Sequence, residues 1–291
     1  MRTSRELKER ISSTKNIQQI TTAMKMVAAA RLKKAQAQLE SSRPYARKIA
    51  AVTLDLAALT PWSFNPLLRK HNYYFRNLII VFTGDQGLSG GFHQEIADRA
   101  IEFGAKLSAK SKVSYYLIGL KGRRRFLEKQ VPIFKNFERP VAGVSIETAR
   151  NLSEEVINWY INQKFNRVYL FYSKFYSALS QKPRAFQLLP IDPAQVGVKK
   201  ESGLFIFEPT RKSLLDSILP RYLETQILRA FLETEAGEFG ARMAAMSAAS
   251  DNAAEIIEEY QLEFNRIRQT QITNEIAEIV GGAEVLNKES I

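Results

Sequence analysis

An N-terminal stretch without helix-breaking residues constrains the fold more than any other feature. Residues 4–43 contain neither glycine nor proline and are rich in Ala, Lys, Arg, Gln and Met, all good helix formers. A helix over residues 4–59 would be about 84 Å long, with a candidate kink at Pro44 and an end at Pro61 and Pro66. Apolar side chains follow one helix face, at spacings of three and four: Ile17, Ile20, Met24, Ala28, Leu32, Ala35 and Leu39. So narrow a stripe cannot stabilise a lone helix of this length, and a partner helix is required.

The far end of the chain supplies a second helical stretch. Residues 213–280 contain few breakers, namely Pro220, Gly237 and Gly240. The pair Gly281-Gly282 predicts a C-terminal stop.

Small side chains favour pairing of the two stretches. Seven residues between 241 and 254 are alanine, and Ala28 to Ala30 add a further cluster near the other end of the chain. Such residues let two helix backbones approach closely. We therefore predict one long antiparallel coiled coil, formed by residues 1–60 and 210–286.

The middle of the chain alternates between two kinds of pattern. Strand-like runs occupy residues 77–83, 113–119, 167–172, 185–189 and 204–207. Helical stretches lie at about residues 92–109, 121–130 and 146–163. This alternation predicts an α/β fold class, with a central Rossmann-like domain of mostly parallel strands over residues 75–208.

Charge points to an anionic partner. The net charge is +12, and residues 1–48 hold twelve Lys and Arg against three Glu, a balance of +9. Nucleic acid, a lipid surface and an acidic protein surface are all candidate partners, and a solvated helix face is the simpler interpretation. Residues 1–44 contain no aromatic side chain for base stacking. An apolar stripe of Ile, Met and Ala also suits helix packing better than membrane binding.

One glycine-rich segment imitates a catalytic motif. Residues 87–91 read G-x-S-x-G, the pattern that presents a nucleophilic serine, here Ser89. Such a serine needs a histidine base far downstream, and the chain contains only His71 and His93. The segment also lacks the lysine of a phosphate-binding P-loop. We predict a tight strand-to-helix turn, and we expect no catalytic, cofactor-binding or metal-binding residue in the chain.

A phase break interrupts the apolar stripe of the C-terminal helix. The spacing of three and four holds up to Ile267 and resumes at Ile272, with a polar run at residues 268–271 between them. One interpretation is a local unwinding of the coil. The other is a polar patch directed at a partner, and both are compatible with the sequence.

Four segments resemble a known family. Residues 11–30, beginning Ile-Ser-Ser-Thr-Lys-Asn-Ile, resemble the N-terminal signature of the gamma subunits of F-type ATP synthases. Residues 238–253 and 265–283 resemble the C-terminal motifs of this family, and residues 84–91, Gly-Asp-Gln-Gly-Leu-Ser-Gly-Gly, resemble its central turn. The chain departs from the family pattern at Ser89, where cysteine is common, and at His93, where asparagine is usual.

The resemblance implies a function without catalysis by this chain. Gamma subunits form the central rotor shaft that couples transmembrane ion flow to ATP synthesis or hydrolysis on a ring of alpha and beta subunits. The α/β domain would bind the epsilon subunit and the ring of membrane c subunits, so that the chain meets the membrane only through partners. The resemblance implies no cofactor and no nucleic acid.

The same resemblance implies positions for contact with the ring. Met24 and Lys25, with Arg242, would lie at a bearing near acidic loops of the ring, and Arg268, Gln269 and Thr270 would form a polar catch. Thr273 and Glu275 belong to the same C-terminal motif and complete the expected contact set.

Absent features favour a bacterial gamma subunit. Residues 190–209 are short and the chain has no cysteine, unlike the regulatory insert of chloroplast relatives. No transit peptide is evident, so we expect a peripheral protein on the cytoplasmic face of the bacterial plasma membrane. The alternatives are a basic coiled-coil adaptor for nucleic acid and, more distantly, a serine hydrolase that uses Ser89.

Overall fold

A computed structural model describes residues 3–61, 64–69, 76–108, 111–138, 144–192 and 210–288, with side chains up to residue 280. The chain divides into two units. One combines residues 1–27 with residues 243–291, and the other spans residues 28–242.

Two long helices dominate the chain. Helix α1 spans Ser4–Ala58, is 55 residues long and continues through Pro44. Helix α5 spans Arg211–Lys288, is 78 residues long and continues through Pro220. The predicted stop at Gly281-Gly282 is therefore wrong. Glycine weakens a helix by only about 1 kcal/mol relative to alanine, and no proline follows the pair to force an end.

Shorter elements lie between these two helices. A 3-10 turn at Pro66–Leu68 is followed by β1 Arg76–Phe82, α2 Phe92–Ser108, β2 Lys112–Ile118, α3 Leu120–Glu128, β3 Ile133–Phe137, α4 Ile146–Ile161, β4 Arg167–Ser177 and β5 Ser180–Leu189. The five strands form one sheet in the order β3-β2-β1-β4-β5. The pairs β1–β2, β1–β4 and β2–β3 are parallel, and only β4–β5 is antiparallel. The predicted α/β class with mostly parallel strands is confirmed.

Three strands differ from the prediction, and one of them, β4, ends at Ser177, five residues later than the predicted run. Strand β3 was not predicted, because Lys135 and Asn136 interrupt the apolar pattern of this short edge strand. Strand β5 begins five residues earlier than the predicted run, at Ser180, and Pro183 falls within it, as an edge strand allows. The strand-like run at residues 204–207 lies outside the described residues.

The sheet is covered on both faces, as its burial pattern requires. Leu78 and Ile80 of β1 join the core formed with α4 and with the adjoining parts of α1 and α5. Ile79 and Val81 point the other way, into the core that also contains side chains of α2 and α3. All four side chains are buried, which explains why β1 is an uninterrupted apolar run.

The smaller unit is an antiparallel pair of helices. Thr22 and Ser250 share a hydrogen bond of 2.9 Å between their hydroxyls, and the ammonium of Lys25 donates to the Ser247 hydroxyl at 2.9 Å. Because the position on α1 rises as the position on α5 falls, the helices run in opposite directions. None of the described helices combines the length and the apolar character required to span a lipid bilayer.

Candidate functional site

The glycine-rich turn between β1 and α2 is fixed by the neighbouring β2–α3 connection. The Thr83 hydroxyl donates to the Ile118 carbonyl at 2.7 Å and accepts from the Gly122 amide at 3.1 Å. The Asp85 carboxylate accepts from the Leu120 amide at 2.7 Å, and thereby caps the start of α3. The turn is thus held by hydrogen bonds on its N-terminal side.

Ser89 lacks the partner that a nucleophile needs. The His93 Nδ1 accepts from the Gly84 amide at 3.2 Å, and Nε2 donates to the Gln86 carbonyl at 3.1 Å. Both ring nitrogens therefore bond to backbone, and neither is available as a general base for Ser89. His71 lies outside the described residues. Among the residues with described side chains, no cluster of three or more His, Cys, Asp or Glu is arranged to hold a metal ion.

Arg242 of α5 forms hydrogen bonds with the backbone of this turn. Its guanidinium donates to the Gly87 carbonyl at 3.1 Å and to the Gln86 carbonyl at 3.4 Å. It also donates to the Glu238 carboxylate at 2.6 Å, one helical turn earlier. The residue is only 7% exposed. We call the group formed by Glu238, Arg242 and the carbonyls of Gln86 and Gly87 the clasp. This group joins α5 to the turn within the larger unit.

Gly84 shows how closely the clasp packs. A Cβ on Gly84 would overlap the Glu238 carboxylate and come within 2.8 Å of the His93 ring. Glycine is required here by this close approach. The sequence singled out Arg242 for contact with a partner, whereas the structure places its guanidinium inside the chain. Glu238 was not singled out, because an acid and a base four residues apart on a helix are typical of an exposed pair.

A second buried carboxylate anchors α5 to the sheet. Glu233 accepts from the Phe175 amide of β4 at 3.2 Å and from the Arg229 guanidinium at 2.7 Å. Burial acts to lower the pKa of Arg229, but the charge and the hydrogen bond of Glu233, together with smaller contributions from Tyr172 and Tyr222, raise that pKa above its ordinary value. Like the clasp, this pair fixes the orientation of α5 in the larger unit.

The other predicted contact residues lie in the smaller unit. Met24 is partly buried and Lys25 is exposed. Arg268, Gln269 and Thr270 are all exposed, as are Thr273 and Glu275 of the same predicted set. The hydroxyls of Thr270 and Thr273 donate to the α5 carbonyls of Arg266 and Gln269, one turn earlier.

The phase break in α5 coincides with the N-terminal start of α1. The pairs Thr22–Ser250 and Lys25–Ser247 share one register, which places Ser4, the first residue of α1, opposite residue 268. Up to Ile267 the apolar stripe of α5 is at least partly buried, and every residue from 268 to 280 is exposed. We call residues 268–280 the unpaired end of α5.

The unpaired end exposes a second apolar stripe within the smaller unit: Ile272, Ile276, Ile279 and Val280. A row of large apolar side chains in water is unfavourable and typical of a surface that a partner covers. The polar residues at 268–271 therefore mark the point where the stripe changes from packing on α1 to facing outward.

Comparison with known proteins gives consistent matches. A family model described as ATP synthase matches residues 3–286. The ATP synthase gamma chain of Geobacter metallireducens is 40% identical over 285 residues, which is 98% of this chain and 99% of that protein. The ATP synthase gamma chain of Moorella thermoacetica is 41% identical over 283 residues, 97% of this chain and 98% of that protein.

Solved structures share the fold. One chain of the Euglena gracilis mitochondrial ATP synthase, in a structure of OSCP/F1/c-ring, has a TM-score of 0.67 at 18% identity, covering 97% of this chain and 94% of that chain. One from the Tetrahymena thermophila mitochondrial ATP synthase central stalk/c-ring has a TM-score of 0.60 at 24% identity, covering 79% of this chain and 99% of that chain. None of these matches supports a nucleic-acid adaptor or a serine hydrolase.

Proposed function

This chain belongs to the ATP synthase gamma-chain family, and on that premise we propose that it is the central rotor shaft of an F-type ATP synthase. It couples transmembrane ion flow to ATP synthesis or hydrolysis on the alpha/beta ring. The observation that carries the proposal is the identity of 40% over 98% of this chain and 99% of a bacterial gamma chain.

The unpaired end of α5 fits a shaft that enters a ring. It is a single helix with an apolar stripe and an adjacent polar run, and neither is covered within the smaller unit. In this proposal the ring surrounds the stripe, while Arg268, Gln269 and Thr270 form the polar catch with Thr273 and Glu275 beside them. Single exposed polar contacts contribute about 0–1 kcal/mol each, which suits a surface that must slide.

The bearing residues divide into two kinds. Met24 and Lys25 present side chains on the surface of the smaller unit and are proposed to touch acidic loops of the ring. Arg242 is buried in the clasp, so we propose that it acts on the ring contact by holding the turn at residues 84–91 in place.

The α/β domain is proposed to bind the epsilon subunit and the c-subunit ring. This places the chain at the cytoplasmic face of the bacterial plasma membrane, attached only through these partners. Nucleotide chemistry then belongs to the alpha and beta subunits. Because both His93 nitrogens bond to backbone groups, this histidine does not activate Ser89.

Co-expression of this chain, carrying a tag, with the alpha and beta subunits of the same genome tests the proposal. We expect all three to purify together on the tag, with ATPase activity that the chain alone does not have. Recovery of alpha and beta in the flow-through, with the tagged chain eluting alone, would contradict the shaft role.

A further inference from the structure

His93 fits its surroundings in the larger unit as a neutral ring. This side chain lies in the first turn of α2 and is only 5% exposed. Its Nδ1 accepts a hydrogen bond from the Gly84 amide at 3.2 Å, and an accepting nitrogen carries no proton. The proton of the neutral ring is therefore on Nε2, which lies 3.1 Å from the Gln86 carbonyl. The hydrogen bonds thus specify one tautomer of the neutral imidazole.

A second proton on this ring would place two donors against each other. Both nitrogens of an imidazolium carry protons, so the Nδ1 proton would point at the Gly84 amide proton. The space around Gly84 is already filled, because the position of a Cβ on this residue lies 2.8 Å from the His93 ring and overlaps the Glu238 carboxylate. The two donors can therefore separate only if the glycine-rich turn moves.

The charges around the ring do little to compensate a second proton. The Glu238 carboxylate of α5 lies 3.9 Å from Nε2, but the same oxygen already accepts from Arg242 at 2.6 Å. The N-terminus of α2, where the ring is attached, carries partial positive charge. The turn and the neighbouring helices α2 and α3 contribute Asp85, Asp98 and Glu128 as acids and Lys121, Arg124 and Arg125 as bases. Acids and bases are thus balanced, and the acid nearest to the ring is already paired.

The ring shares an acceptor with the clasp. The Gln86 carbonyl lies 3.1 Å from the His93 Nε2 and accepts from the Arg242 guanidinium at 3.4 Å. Arg242 also donates to the adjacent Gly87 carbonyl at 3.1 Å. A movement of the turn away from His93 therefore loosens the hydrogen bonds from Arg242 as well. We call the turn at residues 84–91 docked when it holds both sets of hydrogen bonds.

The docked turn contains two unfavourable features that these hydrogen bonds must offset. Leu88 holds a φ of 63°, a left-handed conformation that is unusual for a side chain of this kind. The Ser89 hydroxyl is buried and has no hydrogen-bond partner within the described part of the chain. Both features cost free energy while the turn is docked. Loss of one stabilising contact is therefore enough to favour release of the turn.

We propose that protonation of His93 releases the turn at residues 84–91 from α5, so that this connection is a pH-sensitive switch. An unperturbed histidine titrates near pH 6.5, about where a released ring would take up its proton. Because the released turn binds one proton more than the docked turn, docking is complete well above this pH and is lost as the pH falls below it. The switch needs no other subunit and is therefore independent of the proposed shaft role.

Hydrogen–deuterium exchange of the full chain between about pH 5 and 8, corrected for the intrinsic pH dependence of amide exchange, tests the switch. We expect the protection of residues 84–91 to fall below about pH 6.5, by up to about tenfold per pH unit, while α4 stays protected. His93→Asn keeps a polar side chain that does not titrate, so the pH dependence should disappear. His71→Asn, which replaces the other histidine of the chain, is the matched control and should behave like the parent.

NMR of the chain with carbon-13 in its histidine rings follows the protonation itself. The signal that remains in His71→Asn belongs to His93, and it should titrate over the pH range in which the turn loses protection. A ring that gains its proton while the turn stays protected, or that stays neutral down to about pH 5, would overturn the proposal. Equal pH dependence in the parent and in His93→Asn would also overturn it, as would loss of protection in α4 at the same pH, since the chain would then unfold as a whole.

Discussion

Two buried charges decide how α5 meets the glycine-rich turn. Glu238 and Arg242 are both almost fully buried, and each satisfies hydrogen-bonding groups that would otherwise be unpaired. A buried ion pair adds little stability over an apolar pair, but removing one partner leaves an uncompensated charge. Each member of the clasp is therefore more costly to lose than an exposed ion pair.

Replacement of Arg242 measures this cost. Arg242→Ala should lower the free energy of unfolding by about 3 kcal/mol, since Glu238 loses its counter-charge and two carbonyls lose a donor. The Glu238→Ala, Arg242→Ala double variant should lose less than the sum of the two single changes. Denaturant unfolding measures each value. Arg99→Ala, which breaks an exposed pair with Glu102, is the control, and an equal cost for the two arginines would refute the clasp.

Two buried tyrosines make the larger unit sensitive to alkaline pH. Burial raises the pKa of Tyr222 to about 12, and burial with the charge of Glu233 raises the pKa of Tyr172 to about 12, from an ordinary 10.0. Because the folded-state pKa is raised, this stabilisation is complete below pH 10 and is lost between about pH 10 and 12. Two pH units correspond to about 3 kcal/mol per tyrosine.

The pH profile of unfolding tests this expectation. Tyr222→Phe should show a shallower loss of unfolding free energy between about pH 10 and 12 than the parent chain. Tyr176→Phe, which replaces an exposed tyrosine on the same sheet, is the control. Superimposable profiles for the parent and Tyr222→Phe would show that this side chain does not titrate with unfolding.

At the level of elements, the apolar stripe of α5 changes from packed to exposed along the length of the helix. Up to Ile267 its apolar stripe packs on α1, and from residue 268 the stripe is exposed. The change occurs where α1 begins, as the shared register of Thr22–Ser250 and Lys25–Ser247 requires. Apolar side chains of α5 thus stabilise the helix pair up to Ile267. From residue 268 they are exposed and available to a partner.

A matched pair of isoleucine substitutions separates these functions. Ile257→Ala, in the paired part, should lower the free energy of unfolding by about 2–4 kcal/mol, because that side chain is buried. Ile276→Ala, in the unpaired end, should change it by less than about 0.5 kcal/mol. In the assembled complex, Ile276→Ala should nevertheless lower ATP synthesis driven by ion flow. A large loss of stability in Ile276→Ala would show that the stripe is already covered within the chain.

The sequence predicted the elements better than their contacts. Long helices and buried parallel strands have strong periodic signals, and residues 4–58 and 76–82 follow them closely. Edge strand β3 has only a weak apolar pattern. Helix α5 continues through Gly281-Gly282 because the helix penalty of glycine is too small to end it. The clasp joins residues 155 positions apart, a contact that no local pattern contains.

At the scale of the whole molecule, the chain is a shaft only if it turns within a ring. Its two ends form long helices with opposite directions, and its α/β domain lies between them in sequence. In the proposed complex, chemistry on the alpha/beta ring reaches this chain as mechanical work. Rotation is therefore the property that distinguishes a shaft from a static scaffold.

Direct observation of rotation is the decisive measurement. The chain has no cysteine, so Leu179→Cys, at a position 81% exposed in the β4–β5 hairpin, gives a single attachment point for a bead. The complex with alpha and beta subunits is fixed to a surface through the ring, and ATP is added. We predict continuous rotation of the bead in one direction that stops when ATP is removed. ATP hydrolysis by the same fixed complexes with a stationary bead would contradict the account.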